Sequence, residues 1–259
     1  MFPLIQIGSF KMGTFPLCTG LGIAAIASLI YYQTRCFKFD NNSESKFMIA
    51  IPFSLLTGCV TGYLSDVIFR GGFKALLHPI GYGVTFYGWL IGCILFYLFY
   101  AKIAKLNRLL ILNAFLPAFL LAQAFGRIGC FLGGCCFGKP VSWGVSYPEG
   151  SYPFSVYGSQ PLIPVQLFES AWLVIAFLIV FRCIRFKYRA AWYLIMVSTG
   201  RFFLEFLRGD NRGTVGIDFL SPAQAISIFL FLCGTVLFTR QILLKKHIPV
   251  KSKKTPAHL

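Results

Sequence analysis

Arginine and glycine crowd the run Gly126-Arg127-Ile128-Gly129-Cys130-Phe131-Leu132-Gly133-Gly134-Cys135-Cys136-Phe137-Gly138-Lys139-Pro140, which follows directly on an apolar stretch. A guanidinium offers paired donors in a planar fork, and a glycine-dense turn lets backbone N–H groups approach an anion, so the pattern suits a phosphate held at a membrane boundary. A second set lies in Gly200-Arg201-Phe202-Phe203-Leu204-Glu205-Phe206-Leu207-Arg208-Gly209-Asp210-Asn211-Arg212. Arg201, Glu205 and Arg208 stand at i, i+4 and i+7, which on one helix face sets a carboxylate between two guanidiniums. Such a face serves either an ion pair between helices or the path of a charged substrate, and the cost of charge within a span favours the second. Gln166 and Glu169 in Pro164-Val165-Gln166-Leu167-Phe168-Glu169 share a face, and Leu220-Ser221-Pro222-Ala223-Gln224 brings further polar groups to the same expected depth. Singly, each Gln or Ser fits a helix-packing hydrogen bond; together they outline a site for a phosphate-bearing lipid.

The elements that must position these groups are membrane spans. Of 259 residues, 57% are hydrophobic and 12% charged, with mean hydropathy +0.72, whereas a soluble domain is about a quarter charged. Apolar runs of roughly 18 residues or more predict seven helices, over 15–32, 47–69, 81–100, 109–126, 164–181, 191–207 and 219–238. Glycines and prolines inside them, among them Gly58, Gly88, Gly92 and Pro117, suit close helix packing. Ala25-Ile26-Ala27 resembles a signal cleavage site, but Lys11 is the sole charge before it and the apolar run continues to Tyr32. The first span is therefore expected to be retained.

Lysine and arginine set the expected orientation. Arg35, Lys38 and Lys46 follow the first span, Lys102, Lys105 and Arg108 the third, Arg182, Arg185, Lys187 and Arg189 the fifth, and six basic residues lie between Arg240 and Lys254. The positive-inside rule makes these segments cytoplasmic, with the N-terminus outside and the C-terminus inside. The formal net charge of +16 then reflects topology and attraction to anionic lipid heads, with no need of nucleic acid. The expected organisation is a polytopic all-α membrane domain over 1–243, with an outer loop over about 127–163 rich in Trp and Tyr, and a basic tail over 244–259.

Eight basic residues remain: Lys11, Arg70, Lys74, Arg127, Lys139, Arg201, Arg208 and Arg212. Topology gives them no task, so they are enriched for other ones. Asp66 is the simplest partner for Arg70, and His78 is the one imidazole outside the tail. Six of the nine cysteines are scattered through or beside the spans and read as small apolar filler. Cys130, Cys135 and Cys136 are clustered, which leaves an outer disulfide or a metal site open, although the spacing fits no standard zinc pattern.

The run from Gly126 to Pro140, the Pro164-Val165-Gln166-Leu167-Phe168-Glu169 segment, the Arg201 to Arg208 helix and the Leu220 to Gln224 segment together resemble the bacterial prolipoprotein diacylglyceryl transferase family, in a Gly-Cys-Cys variant of its signature. The resemblance runs from about Phe15 to Gln224. It implies transfer of the diacylglyceryl group of phosphatidylglycerol to the lipobox cysteine thiol of a prolipoprotein in the bacterial inner membrane, releasing glycerol phosphate, with no cofactor or metal. Arg127 and Arg201 match the family's essential arginines, Glu205 orients Arg201, and Tyr87 stands where many members have a histidine, so that the proton acceptor is open. The expected substrate surface comprises Gly126, Gly129, Cys130, Gly134 and Gly138 from the signature, and Gln166, Glu169, Arg208 and Gln224 from the later segments. Other departures are Cys130 for Asn, Cys135 for an acidic residue, Phe15 for Tyr, Asn113 for Asp and Ile163 for His.

Two alternatives use the same residues: a catalytically silent lipid-binding paralogue, and a small transporter. The second would usually show internal repeats, and the sequence has none. The charge pattern makes a direct prediction. A reporter active only outside the inner membrane will light up when fused after Trp143 and stay dark after Lys254; the reverse pattern refutes the orientation.

Overall fold

The computed structural model describes residues 4–8, 10–36, 41–71, 85–210 and 220–243. A short antiparallel hairpin, β1 (Leu4–Ile7) and β2 (Phe10–Gly13), pairs Leu4 with Gly13 and Ile7 with Phe10. Helices follow as α1 (Thr14–Cys36), α2 (Asn41–Gly71), α3 (Phe86–Ile103) and α4 (Arg108–Gly133). After strand β3 (Pro140–Val145) and the one-and-a-half-turn α5 (Tyr152–Tyr157) come α6 (Val165–Leu178), α7 (Arg189–Leu204) and α8 (Pro222–Leu243). A π-helical turn, Ile179–Cys183, extends α6, and 3-10 turns flank α7 at Phe186–Tyr188 and Glu205–Leu207.

Among the described residues six helices are long and apolar enough to cross a membrane: Thr14–Cys36, Glu44–Ile68, Arg108–Gly133, Val165–Cys183, Phe186–Leu207 and Pro222–Leu243. The chain is thus an all-α multi-pass membrane protein. The third expected span corresponds to α3, whose apolar part, Gly88–Ile103, is shorter. Large apolar side chains stand outward on these helices, for example Phe99 at 65% exposure and Val236 at 66%. Lipid is the natural surrounding for such outward apolar surface on helices of this hydropathy.

The described residues divide into two compact units, one within 30–112 and the other within 1–29 and 113–243. In the first, α2 and α3 pack so closely that a Cβ on Gly58 would meet Trp89 and Cys93, one on Gly88 would collide with Ser65, and one on Gly92 with Thr61. The close approach lets the Thr61 hydroxyl donate to the Gly88 carbonyl at 2.9 Å and Tyr100 to that of Lys46 at 3.0 Å. These interhelical bonds and small-residue contacts replace the hydrophobic force that lipid cannot supply. Phe47 meets Tyr97 edge-on at 5.8 Å beneath them.

In the second unit, buried Asn113 donates to the Lys187 carbonyl at 3.2 Å and accepts from the Ala190 N–H at 2.8 Å, tying α4 to the start of α7. Ser170 on α6 donates to the Ala124 carbonyl at 3.1 Å, and Trp172 donates to the Met196 carbonyl at 2.8 Å. Gly200 leaves the space that the Trp172 indole fills. Arg189, a topological charge by its place in the sequence, is buried: it donates to the carbonyls of Phe181 and Ile184 and lies over the Phe181 ring, satisfying the end of the α6 segment.

Two sequence expectations change. Gly126 to Gly133 is helix rather than turn, because Gly126, Gly129 and Gly133 sit within one continuous α4, with Gly129 against Phe15 and Cys18 of α1. The segment after it, expected as an outer loop rich in Trp and Tyr, is a packed strap: Phe137, Tyr147 and Leu162 form a buried core with Tyr157 against it, while Trp143 and Tyr152 stay exposed. The tail 244–259, His78, Lys74 and Arg212, and the side chains of Lys11 and Arg70, lie outside the described residues; Asp66 itself is buried.

The α2–α3 contact yields a test. Gly92→Leu will lower unfolding stability in detergent by about 1–3 kcal/mol through overpacking. Gly20→Ala, where a Cβ meets nothing within 4 Å, will hold or raise it by less than about 1 kcal/mol.

Candidate active site

Glu169 is the centre of the polar cluster. It lies one turn into α6 and is 5% exposed; its Oε1 accepts a hydrogen bond from Arg201 and forms an ion pair with Arg127, each at 3.0 Å. Its Oε2 is 3.8 Å from Nη1 of Arg208. Arg201 reaches Glu169 with Nη1 and Glu205 with Nη2, the latter at 2.9 Å across one helical turn. Both ends of that guanidinium are therefore committed. Arg127, by contrast, has Glu169 as its sole ion-pair partner among the described residues, and its side chain is 16% exposed. It is the guanidinium best placed to take a further anion.

Arg208 departs from the expected helix face. The α-helix ends at Leu204, a 3-10 turn follows, and Arg208 is extended, so it no longer continues the i, i+4, i+7 row. It stays 3.9 Å from Glu205 but binds Asp210 in bidentate fashion, at 2.8 Å through both Nε and Nη2. Burial alone would lower the Arg208 pKa; the Asp210 hydrogen bonds, then Cys136, reverse this and raise it. Its Nη1 has no hydrogen-bond partner among the described residues.

The strap fixes Arg208 in place. Lys139 N–H donates to the Leu207 carbonyl and Gly209 N–H to that of Phe137, at 3.0 and 3.1 Å, with a bridge between Gly138 and Arg208. A Cβ on Gly138 would strike Ile163 and Val165, so its lack of side chain permits this approach. Tyr157 donates to the Gly209 carbonyl at 3.0 Å. Lys139 itself is exposed.

Gln166, fully buried, donates to the Cys135 carbonyl at 2.6 Å and to the Tyr147 hydroxyl at 3.0 Å, while its Oε1 has no hydrogen-bond partner among the described residues. It braces the turn after α4, where Gly134 has φ +69° and Cys136 φ +60°. Here Cys130, Cys135 and Cys136 bring their sulfurs within 4.8 Å of one another. Hydrogen bonds from Cys130 and Cys135, then Arg208 and Arg127, push the Cys136 thiol down. Burial pushes the Tyr147 phenol up, against the opposing Gln166 bond. Sequence spacing could not bring these sulfurs together, because the αL turn at Gly134 and Cys136 does so.

Gln224 has a local task. Its Oε1 accepts from the Ser221 N–H at 3.0 Å, and the Ser221 hydroxyl accepts from the Gln224 N–H at 3.2 Å, a reciprocal cap on α8. The Ser221 hydroxyl also donates to Glu205 at 3.2 Å, so the capped helix reaches the charge network. A Cβ on Gly126 would meet nothing within 4 Å, so this glycine borders open space, whereas Gly129 packs against α1. The Tyr87 side chain lies outside the described residues. The cluster thus unites Arg127, Glu169, Arg201, Glu205 and Arg208, with Gln166 and Cys130 at its edge. Asp210 and Tyr147 are members that the sequence patterns did not single out for it, whereas Ser221 was among the polar groups expected at this depth; the alternating basic and acidic run through Arg208 and Asp210 was the available signal for Asp210.

Three guanidiniums against three carboxylates make the network formally neutral, which lowers the cost of burying it. Removing one partner removes that balance. Glu169→Gln will cost about 3–5 kcal/mol of unfolding stability, as breaking a buried pair does; denaturation in detergent giving a loss below about 1 kcal/mol, typical of a surface pair, contradicts its central place.

The family model described as prolipoprotein diacylglyceryl transferase matches residues 3–240. The chain is 32% identical over 246 residues to phosphatidylglycerol–prolipoprotein diacylglyceryl transferase of Clostridium tetani, covering 91% of this chain and 95% of that protein. It is 32% identical to the transferase 2 of Clostridium perfringens, covering 90% and 92%, and 30% identical to the transferase of Streptococcus uberis, covering 90% and 92%. By a family match over nearly the whole chain and relatives at 30% identity or more, this chain belongs to the prolipoprotein diacylglyceryl transferase family.

Proposed function

We propose that this protein transfers the diacylglyceryl group of phosphatidylglycerol to the lipobox cysteine thiol of prolipoproteins, in the bacterial inner membrane, with its site toward the outer face. The observation that carries the reading is the sharing of Glu169 by Arg127 and Arg201 in a buried cluster. The reaction makes a thioether by displacement at a glyceryl carbon. Its leaving group is a phosphate ester whose negative charge grows in the transition state, and preorganised cations in a poorly hydrated site stabilise that charge without reorganising.

Arg127, with one carboxylate partner among the described residues and partial exposure, takes the phosphate. Arg201 contributes its field and holds Glu169, while Glu205 fixes Arg201 and is itself fixed by Ser221. Gly126 leaves room beside Arg127 for the glyceryl backbone. The apolar outer surfaces of the helices offer the acyl chains a setting continuous with lipid. The acceptor must become a thiolate from an ordinary pKa near 8.5, which calls for a base or a positive field. Tyr87, in place of a histidine, is a hydrogen-bonding group rather than a base at neutral pH.

In proteoliposomes with labelled phosphatidylglycerol and a lipobox peptide, Arg127→Ala and Arg201→Ala will each reduce transfer on the order of 100-fold or more. Lysine will rescue only in part, lacking the planar fork. Wild-type protein that binds the lipid but transfers nothing would favour the silent lipid-binding paralogue; near-normal turnover in a folded Arg127→Ala protein would refute the clamp.

A further inference from the structure

The three clustered cysteines are not used by the phosphate clamp. Cys130 lies in the last turn of α4, and Cys135 and Cys136 follow the Gly134 turn. The Cys135 N–H donates to the Cys130 carbonyl at 3.0 Å, closing a loop that brings the three sulfurs within 4.8 Å of one another. Cys136 holds φ at +60°, a conformation that costs energy for a residue with a Cβ and is kept where the surrounding structure imposes it. Gln166 on α6 braces the same turn by its 2.6 Å bond to the Cys135 carbonyl.

Three thiolates around one zinc ion, each at about 2.3 Å, sit roughly 3.8 Å apart. The observed sulfurs reach that arrangement by closing about an ångström or less, within the range of rotamer adjustment. No histidine or carboxylate joins them as a fourth ligand among the described residues. Three protein ligands with one open position is the pattern of a zinc site that binds a reactant, rather than one that only staples a fold. Three thiolates on a divalent ion carry one net negative charge. Thiolate donors select a soft d10 ion over magnesium or calcium.

We propose that Cys130, Cys135 and Cys136 bind a zinc ion whose open position takes the acceptor thiol of the prolipoprotein. The inference rests on the transferase reading for the identity of that thiol. On coordination the thiol loses its proton to water, since a metal-bound thiol is deprotonated outright. The sulfur then attacks the glyceryl carbon: the C–S bond forms, the C–O bond to phosphate breaks, and its electron pair leaves on the phosphate oxygen facing Arg127. The metal thereby supplies the thiolate that Tyr87, at the histidine position, is poorly suited to generate.

The test uses the full-length protein in detergent under reductant. Elemental analysis after dialysis against trace zinc will give about one ion per chain. X-ray absorption will give about three sulfur neighbours near 2.3 Å, rising to about four when a lipobox peptide is added. Cys135→Ser and Cys136→Ser will weaken zinc binding on the order of tenfold or more, while Cys183→Ser, at an exposed cysteine outside the cluster, will not. Should the cluster variants fold poorly, alkylation of wild-type protein decides: zinc will protect Cys130, Cys135 and Cys136 but leave Cys183 reactive. A wild-type protein that transfers normally without zinc, or in which two of the three sulfurs form a disulfide while active, overturns the metal site and leaves the transferase reading standing. Zinc bound with unchanged sulfur count on adding peptide overturns the thiol-binding role. Zinc binding with no transfer from phosphatidylglycerol instead removes the transferase reading.

Discussion

A carboxylate buried among guanidiniums is the constraint on which the site depends. Glu169 is 5% exposed in a chain whose surroundings are mostly apolar, and a lone ionised carboxylate there would be prohibitively costly. It is tolerable because Arg127 and Arg201 meet the same oxygen at 3.0 Å, from two different helices. The same bonds locate the guanidiniums, so electrostatic balance and positioning are one arrangement. Glu205 and Asp210 extend it, the first to Arg201 and the second to Arg208.

Much of the nearby backbone exists to make that arrangement reachable. Gly200 lets Trp172 nest between α6 and α7, bringing Glu169 opposite Arg201. Gly138 lets the strap close on the segment after α7, which sets Arg208 in extended backbone rather than on the helix. Ser221 caps α8 and reaches Glu205 with the same hydroxyl. The result is a polar centre in which Glu169, Arg201, Glu205 and Arg208 are each fixed by two or more contacts, as a preorganised site requires.

The membrane class and the places of the helices were legible in the sequence because apolar length is a one-dimensional property. So were Arg127, Arg201 and Glu205, since charge within an apolar run stands out on its own. Three things were not. The extension of α4 through Gly126 to Gly133 was hidden because glycines read as turn residues, although in a membrane helix they also serve close packing, as Gly129 does against α1. The β1–β2 hairpin and the strap core of Phe137, Tyr147 and Leu162 are short and non-periodic, and their pairing depends on contacts that no local pattern reveals. Glu169, in the sequence, is one polar group among several; that it sits between Arg127 and Arg201 is a tertiary fact, set by the docking of α4, α6 and α7. Gln224 shows the converse, a residue expected at the substrate surface whose described bonds serve a helix cap.

If Arg127 and Arg201 act as one unit through Glu169, their effects on catalysis cannot be independent. The most direct measurement is a double-mutant cycle on transfer rate, with Arg127→Ala, Arg201→Ala and the pair compared in the same vesicles. Shared action predicts that the double variant is little worse than the more damaging single one, a coupling on the order of 1–3 kcal/mol. Losses that simply multiply, with coupling below about 0.5 kcal/mol, would show two separate cations and contradict the central role given to Glu169.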